Sequence, residues 1–158
     1  FTKKYIVNQT NNSTRNGSDP LNFENNYRAI RYADVLLMAA EAHANNNDSS
    51  KATTYLNQVR ARAFGDNSQD YSSAEGSLTD AILAERRLEL AAEGHYFFDL
   101  VRTGKAKAAF QSYNSNYASD GTRPEIQFIE NKNEFLPIPL VELELANAID
   151  RWGQNEGY

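Results

Sequence analysis

The run from Glu85 to Gly104, ERRLELAAEGHYFFDLVRTG, constrains the fold most, because on a helix it sets charges where a buried stripe belongs. At 100° per residue from Ile82, one arc gathers Ile82, Leu83 and Leu90, and it takes in Phe97, Leu100 and Val101 if the helix continues past Gly94. Arg86 and Glu93 fall inside that arc and Glu89 at its edge. Ions on a packed face need partners. The spacing therefore predicts that Arg86 carries Glu89 and Glu93, in a structural ion network that reaches another helix through Arg60 or Arg62.

Composition bounds the rest. The chain has 158 residues, 41% hydrophobic, with nine Tyr and eight Phe, enough for one domain with a modest core. A net charge of −5, with Lys and Arg dispersed, argues against a nucleic-acid partner. The absence of Cys excludes disulfides and thiolate metal sites, and suits a cytosolic and a bacterial envelope protein equally. No apolar run approaches the roughly 18 residues of a membrane helix, and no signal-peptide core follows Phe1, so a soluble chain is expected. It opens without Met at an extended apolar segment, Tyr5-Ile6-Val7, and so reads as a fragment or a processed product.

Residues 1–28 read mostly as loop, rich in Asn, Ser and Thr with Asp19-Pro20 as a turn signal. Residues 29–63 read as a helix hairpin. Its first helix, Tyr32 to Ala44, is apolar nearly all round and is expected to lie between neighbours. Asn45 to Asp48 ends it, Ser49 or Ser50 can cap the next helix, and Ala52, Leu56, Val59 and Ala63 mark that helix's buried face. Leu36, Ala39, Ala40, His43, Ala52, Leu56 and Val59 follow the spacing of a tetratricopeptide hairpin, which buries its faces only against further partners.

Residues 77–113 carry the charged block, opened by Ser77-Leu78-Thr79-Asp80, which resembles a capping box. Gly94 either terminates that helix or permits a close backbone approach, and a short helix is expected from Lys105 to about Tyr113. Residues 114–158 are loop-rich. Ile126 to Ile129 reads as a short strand, Leu136-Pro137-Ile138-Pro139 as stiff and extended, and Val141 to Ile149 as a helix. The aromatic ending, Trp152 to Tyr158, is expected to dock.

Catalytic and metal chemistry find little support. Glu85, Glu89 and Glu93 have the spacing of a glycosidase pair along a helix, but such pairs need a cleft and one desolvated carboxyl. His95 and Asp99, four apart, suit a His–carboxylate hydrogen bond better than a metal site, and Asp66 to Asp70 lacks the Gly and distal Glu of a calcium loop. Sugar recognition pairs flat apolar faces with hydrogen-bonding groups. Tyr27, Tyr71, Tyr113, Tyr117 and Trp152, lying in or beside polar segments, are the candidate ligand-binding residues.

Four blocks, in order, resemble the SusD/RagB family, specifically its C-terminal portion. Arg31-Tyr32-Ala33-Asp34-Val35-Leu36-Leu37-Met38 is similar to the family's R-[YL]-A-[ED]-V-L-L-M helix, and Leu56-Asn57-Gln58-Val59-Arg60-Ala61-Arg62-Ala63 to its L-N-x-V-R-x-R-A helix. The run Glu85 to Leu90, with Glu93-Gly94-His95 and Phe98 to Arg102, resembles its most recognisable block. Leu136 to Pro139 with Glu142, and Gln154-Asn155-Glu156-Gly157-Tyr158, resemble its closing segments, although Glu156 stands where Pro is usual and Ala92 where an aromatic is common.

The resemblance implies a mainly all-α fold with tetratricopeptide-like hairpins and long loops, no catalysis and no cofactor. It also implies a protein held at the outer-membrane surface of Bacteroidota by a lipidated Cys. There it would capture oligosaccharide or another nutrient and pass it to a SusC-like TonB-dependent transporter. The chain would then be the C-terminal domain, residues 1–158, partnered by a missing N-terminal part. The alternative is a tetratricopeptide-like scaffold that binds a peptide or protein.

Overall fold

The computed structural model describes residues 4, 28–145 and 153–158; Tyr27, Trp152 and the loop expected over residues 5–27 lie outside them. The described residues are helical and contain no strand. They divide into two compact units, Phe1–His95 and Tyr96–Tyr158.

In the first unit, α1 (Tyr32–Asn45) and α2 (Ser49–Phe64) form a hairpin, and α3 (Leu78–Glu89) packs against both. The three-residue turn between α1 and α2 forces antiparallel neighbours. Asp48, rather than Ser49 or Ser50, caps α2 by accepting from the Lys51 amide, because the serines already lie inside the first turn. Gly65, in the left-handed region at φ 83°, ends it.

The core is Leu37 and Ala40 of α1, Ala52, Leu56 and Val59 of α2, and Ala81 and Ile82 of α3. Leu37, Leu56, Ile82 and Val59 are fully enclosed, each worth about 1.5–3 kcal/mol of burial. Two expectations fail at the edges of this core. Ala63, at the last turn of α2, is exposed, and α1 is not covered all round: Tyr32, Val35 and Met38, at successive turns, stay open.

α3 opens on Ser77, whose hydroxyl accepts from the Asp80 amide. The reciprocal capping box belongs one turn earlier, between Ser72 and Glu75 around a 3₁₀ turn, Ser73–Glu75. α3 stops at Glu89 and does not run through Gly94. Ala92 (φ 64°) and Gly94 (φ 82°) both take left-handed backbone, which no continuing helix accommodates. Nothing lies within 4 Å of where a Gly94 side chain would sit, so this glycine serves the turn, not a close approach.

The second unit has α4 (His95–Arg102, from Tyr96 onward), α5 (Ala106–Tyr113), a π-turn (Asn114–Ala118) and α6 (Leu140–Leu145). The expected extension of α6 to Ile149 lies outside the described residues. Among the described residues of this unit the buried apolar ones are Ala106, Ala118 and Leu143, with Phe110 stacked on Phe128 at 5.2 Å.

Side-chain amides supply the order that a larger core would give. Asn114 accepts from the Ile126 amide and donates to its carbonyl, both at 2.9 Å, and Asn133 accepts from the Ile129 amide at 2.6 Å. This is why residues 126–129 are not a strand: the backbone groups at their ends are taken by asparagines instead of a neighbouring ladder. Gln154 likewise accepts from the Ile138 amide and donates to its carbonyl, while Asn155 donates to the Leu136 carbonyl and Tyr158 to that of Phe135. The described end of the chain, residues 153–158, docks as expected.

Candidate functional site

The expected ion network forms, with a different pairing. Arg86 does sit on the buried face of α3, but its Nη1 donates to Asp34 Oδ1 of α1 at 2.7 Å, and both residues are about 95% enclosed. Glu89 and Glu93 turn instead to Arg31, the residue before α1. Its Nε lies 2.9–3.0 Å from both Glu93 oxygens, Nη1 is 2.7 Å from Glu89 Oε1, and Nη2 donates to the Glu89 carbonyl at 2.8 Å. Arg62 adds 2.6 Å to the same Glu89 oxygen. Lys4 pairs with Glu93 and donates to the Glu89 and Ala91 carbonyls at 2.6 and 3.0 Å.

The physical reason for the exchange is the turn after α3. Breaking the helix at Leu90 takes Glu93 off the Arg86 stripe and leaves the Glu89 and Ala91 carbonyls to two cations from distant sequence, Arg31 and Lys4. A second cluster holds α2: Arg60 Nε meets Glu85 at 3.0 Å, and its Nη1 meets Glu75 at 2.9 Å and the Gln69 carbonyl at 3.2 Å. Arg31, Asp34, Lys4, Glu75 and Glu85 were not among the expected members. The signal for two of them was present: Arg31 and Asp34 are the charged positions of the first motif block, three apart at the head of an Ala- and Leu-rich helix.

Burial alone would raise the Glu89 and Glu93 carboxyls. Hydrogen bonds and charge from Arg31, joined by Arg62 at Glu89 and Lys4 at Glu93, outweigh it and hold both below the ordinary range. The Arg31 guanidinium is raised in turn, chiefly by its hydrogen bond with Glu93, against the cost of burial. Paired anions of this kind clamp; neither carboxyl is held as a proton donor. A cavity of about 440 Å³ lies beside them, lined by Lys4, Arg28, Arg31, Arg62, Leu88, Glu89 and Glu93.

Asp99 accepts from Arg102 at 2.7 Å, and a His–carboxylate pair among the described residues is His43 with Asp48, at 3.1 Å. No group of three or more His, Asp and Glu suited to a metal ion occurs among the described residues.

The candidate aromatics part company. Tyr71 packs against the hydrophobic core, its amide donates to Asn57 and its hydroxyl to the Gly76 carbonyl at 2.7 Å, so both its ends serve the fold. Tyr113 and Tyr117 are brought together by the π-turn, ring centroids 5.7 Å apart, with the Arg123 guanidinium 5.7 Å from the Tyr117 ring.

A helical hairpin closed by a third helix, with buried charges fastening the helices, is built like a tetratricopeptide unit. The SusD family model matches residues 1–158, and the chain belongs to that family. It is 32% identical over 144 residues to SusD-like protein P25 of Formosa agariphila, covering 89% of this chain and 26% of that protein. It is 36% identical over 125 residues to SusD-like protein P2 of the same organism, covering 75% and 23%. The chain thus spans about a quarter of the length of these curated relatives. No solved structure matches it. No helix among the described residues is long and apolar enough to cross a membrane.

Proposed function

We propose that this chain is the C-terminal domain of a cell-surface protein that captures oligosaccharide and passes it to a SusC-like TonB-dependent transporter, without catalysing a reaction. The observation that carries this reading is family membership along all 158 residues. The helical scaffold supports it, since a rigid frame of packed helices and docked loops suits ligand presentation. The open face of α1, Tyr32, Val35 and Met38, suits packing against the missing N-terminal part of the same polypeptide. A lipid anchor at the outer membrane belongs to that part of the reading. The alternative scaffold for a peptide would use the cavity of about 400 Å³ along α1 and α2, lined by Tyr32, Leu36, Gln58 and Val59.

The test is a full-length protein probed on a glycan array and by pull-down from detergent-solubilised outer membranes. Binding to at least one oligosaccharide class and co-purification with a β-barrel transporter are the expected results. Absence from the outer membrane, together with no glycan retained, would overturn the reading.

A further inference from the structure

The segment 113–126 is ordered without being buried. The π-turn inserts one residue into the helical repeat, a local irregularity that turns up often at functional sites. Asn114 then pins the far end of the loop through its two bonds to Ile126, Asn116 bonds Ser112 at 3.1 Å, and Asp120 accepts from the Thr122 amide and hydroxyl at 2.9 and 2.7 Å. These bonds hold up a surface on which Tyr117 is 57% exposed and Arg123 is exposed. Asp120, three residues before Arg123, is spent on Thr122, and Glu125, two residues after it, is exposed and makes no ion pair among the described residues. Arg123 makes no ion pair among the described residues, and its guanidinium lies over the Tyr117 ring.

Resting on the nutrient-capture reading, we propose that residues 113–126 form a subsite for an anionic saccharide. The Tyr113–Tyr117 wall takes the C–H face of a pyranose ring, whose weakly positive hydrogens suit the negative face of an aromatic. Arg123, laid against that wall, turns its planar fork of N–H donors to the sugar's carboxylate or sulfate, the anions that geometry matches. The Arg–ring contact orients the guanidinium before the ligand arrives, which lowers the ordering cost of binding. A neutral sugar would keep the stacking and lose the charge-assisted bonds.

Calorimetric titration of the full-length protein with hexagalacturonate, a sulfated carrageenan hexasaccharide and neutral cellohexaose tests this. At least one anionic hexasaccharide should bind tenfold or more tighter than cellohexaose, the two anionic arms showing whether carboxylate or sulfate is read. Arg123→Gln should bring its affinity down to the neutral level, Tyr117→Ala should abolish binding at this subsite, and Tyr117→Phe should retain it. Raising NaCl from about 50 to 500 mM should weaken the anionic arm alone, as screening requires. Equal affinity for all three sugars, or an anionic preference untouched by Arg123→Gln in protein with unchanged circular dichroism, would overturn the subsite. If the glycan array is positive while these sugars fail, the subsite falls and nutrient capture stands.

Discussion

Removing Asp34 should destabilise this protein more than any other single change to a charged residue. The Arg86–Asp34 pair spans α1 and α3 at 2.7 Å with both side chains enclosed. With charge centres about 4 Å apart and an effective dielectric near 20, the gross attraction is about 4 kcal/mol. Asp34→Ala removes the attraction and takes a charged partner from a guanidinium that has already lost its water, so the loss should reach about 3–5 kcal/mol. That is a large share of the roughly 5–15 kcal/mol by which a domain is stable. The double variant Asp34→Ala/Arg86→Met removes the buried cation as well, and should recover part of the loss. Urea melts followed by circular dichroism at 222 nm, on wild type, both singles and the double, give the coupling energy. A loss under 1 kcal/mol for Asp34→Ala, or a double variant as unstable as the sum of the singles, would refute the buried-clamp argument.

Ala92→Gly should stabilise by about 0.5–1 kcal/mol, because relief of left-handed strain at φ 64° exceeds the added freedom of the unfolded chain, and a higher midpoint in the same melts checks it. Glu89 and Glu93 are depressed from 4.5 in the folded protein, so the stability they confer is complete above that value and is lost as pH falls through their folded values; Arg31→Gln should flatten this acid limb in thermal melts run below pH 5. Gln154→Ala should free residues 153–158 by removing both bonds to Ile138, at a cost of about 1–3 kcal/mol, and hydrogen exchange at the Ile138 amide should speed up while exchange in α2 does not.

Local signals located the helices well, because periodicity and breakers act within a few residues. Tyr32 and Tyr113 stand at helix ends where their patterns begin and stop, and the dense charge around Arg86 did mark a packed face. Partner choice was not local. Arg86 takes Asp34 from 52 residues away, Glu93 is taken off its stripe by a turn that hinges on Ala92, a residue with no preference for left-handed backbone, and Glu89 is held by Arg31 and Arg62. The strand expected over residues 126–129 failed for a related reason: its apolar alternation was real, but two asparagines elsewhere in the sequence claim its backbone. Of the five aromatic candidates, Tyr113 and Tyr117 share a surface through the π-turn, a geometry that i, i+4 spacing hints at and the Asn114–Ile126 bonds secure.

At the end of α3 the Leu90 and Ala91 amides close the Arg86 and Leu88 carbonyls, while the Glu89 carbonyl is closed by residues 58 and 85 positions earlier, Arg31 and Lys4. During synthesis both cations leave the ribosome long before the carbonyls they serve exist. Closing the Glu89 carbonyl therefore needs long-range contact, which carries the entropy of a large loop and is slow relative to helix growth. Order at the Glu89 carbonyl thus reports that distant parts of the first unit have met.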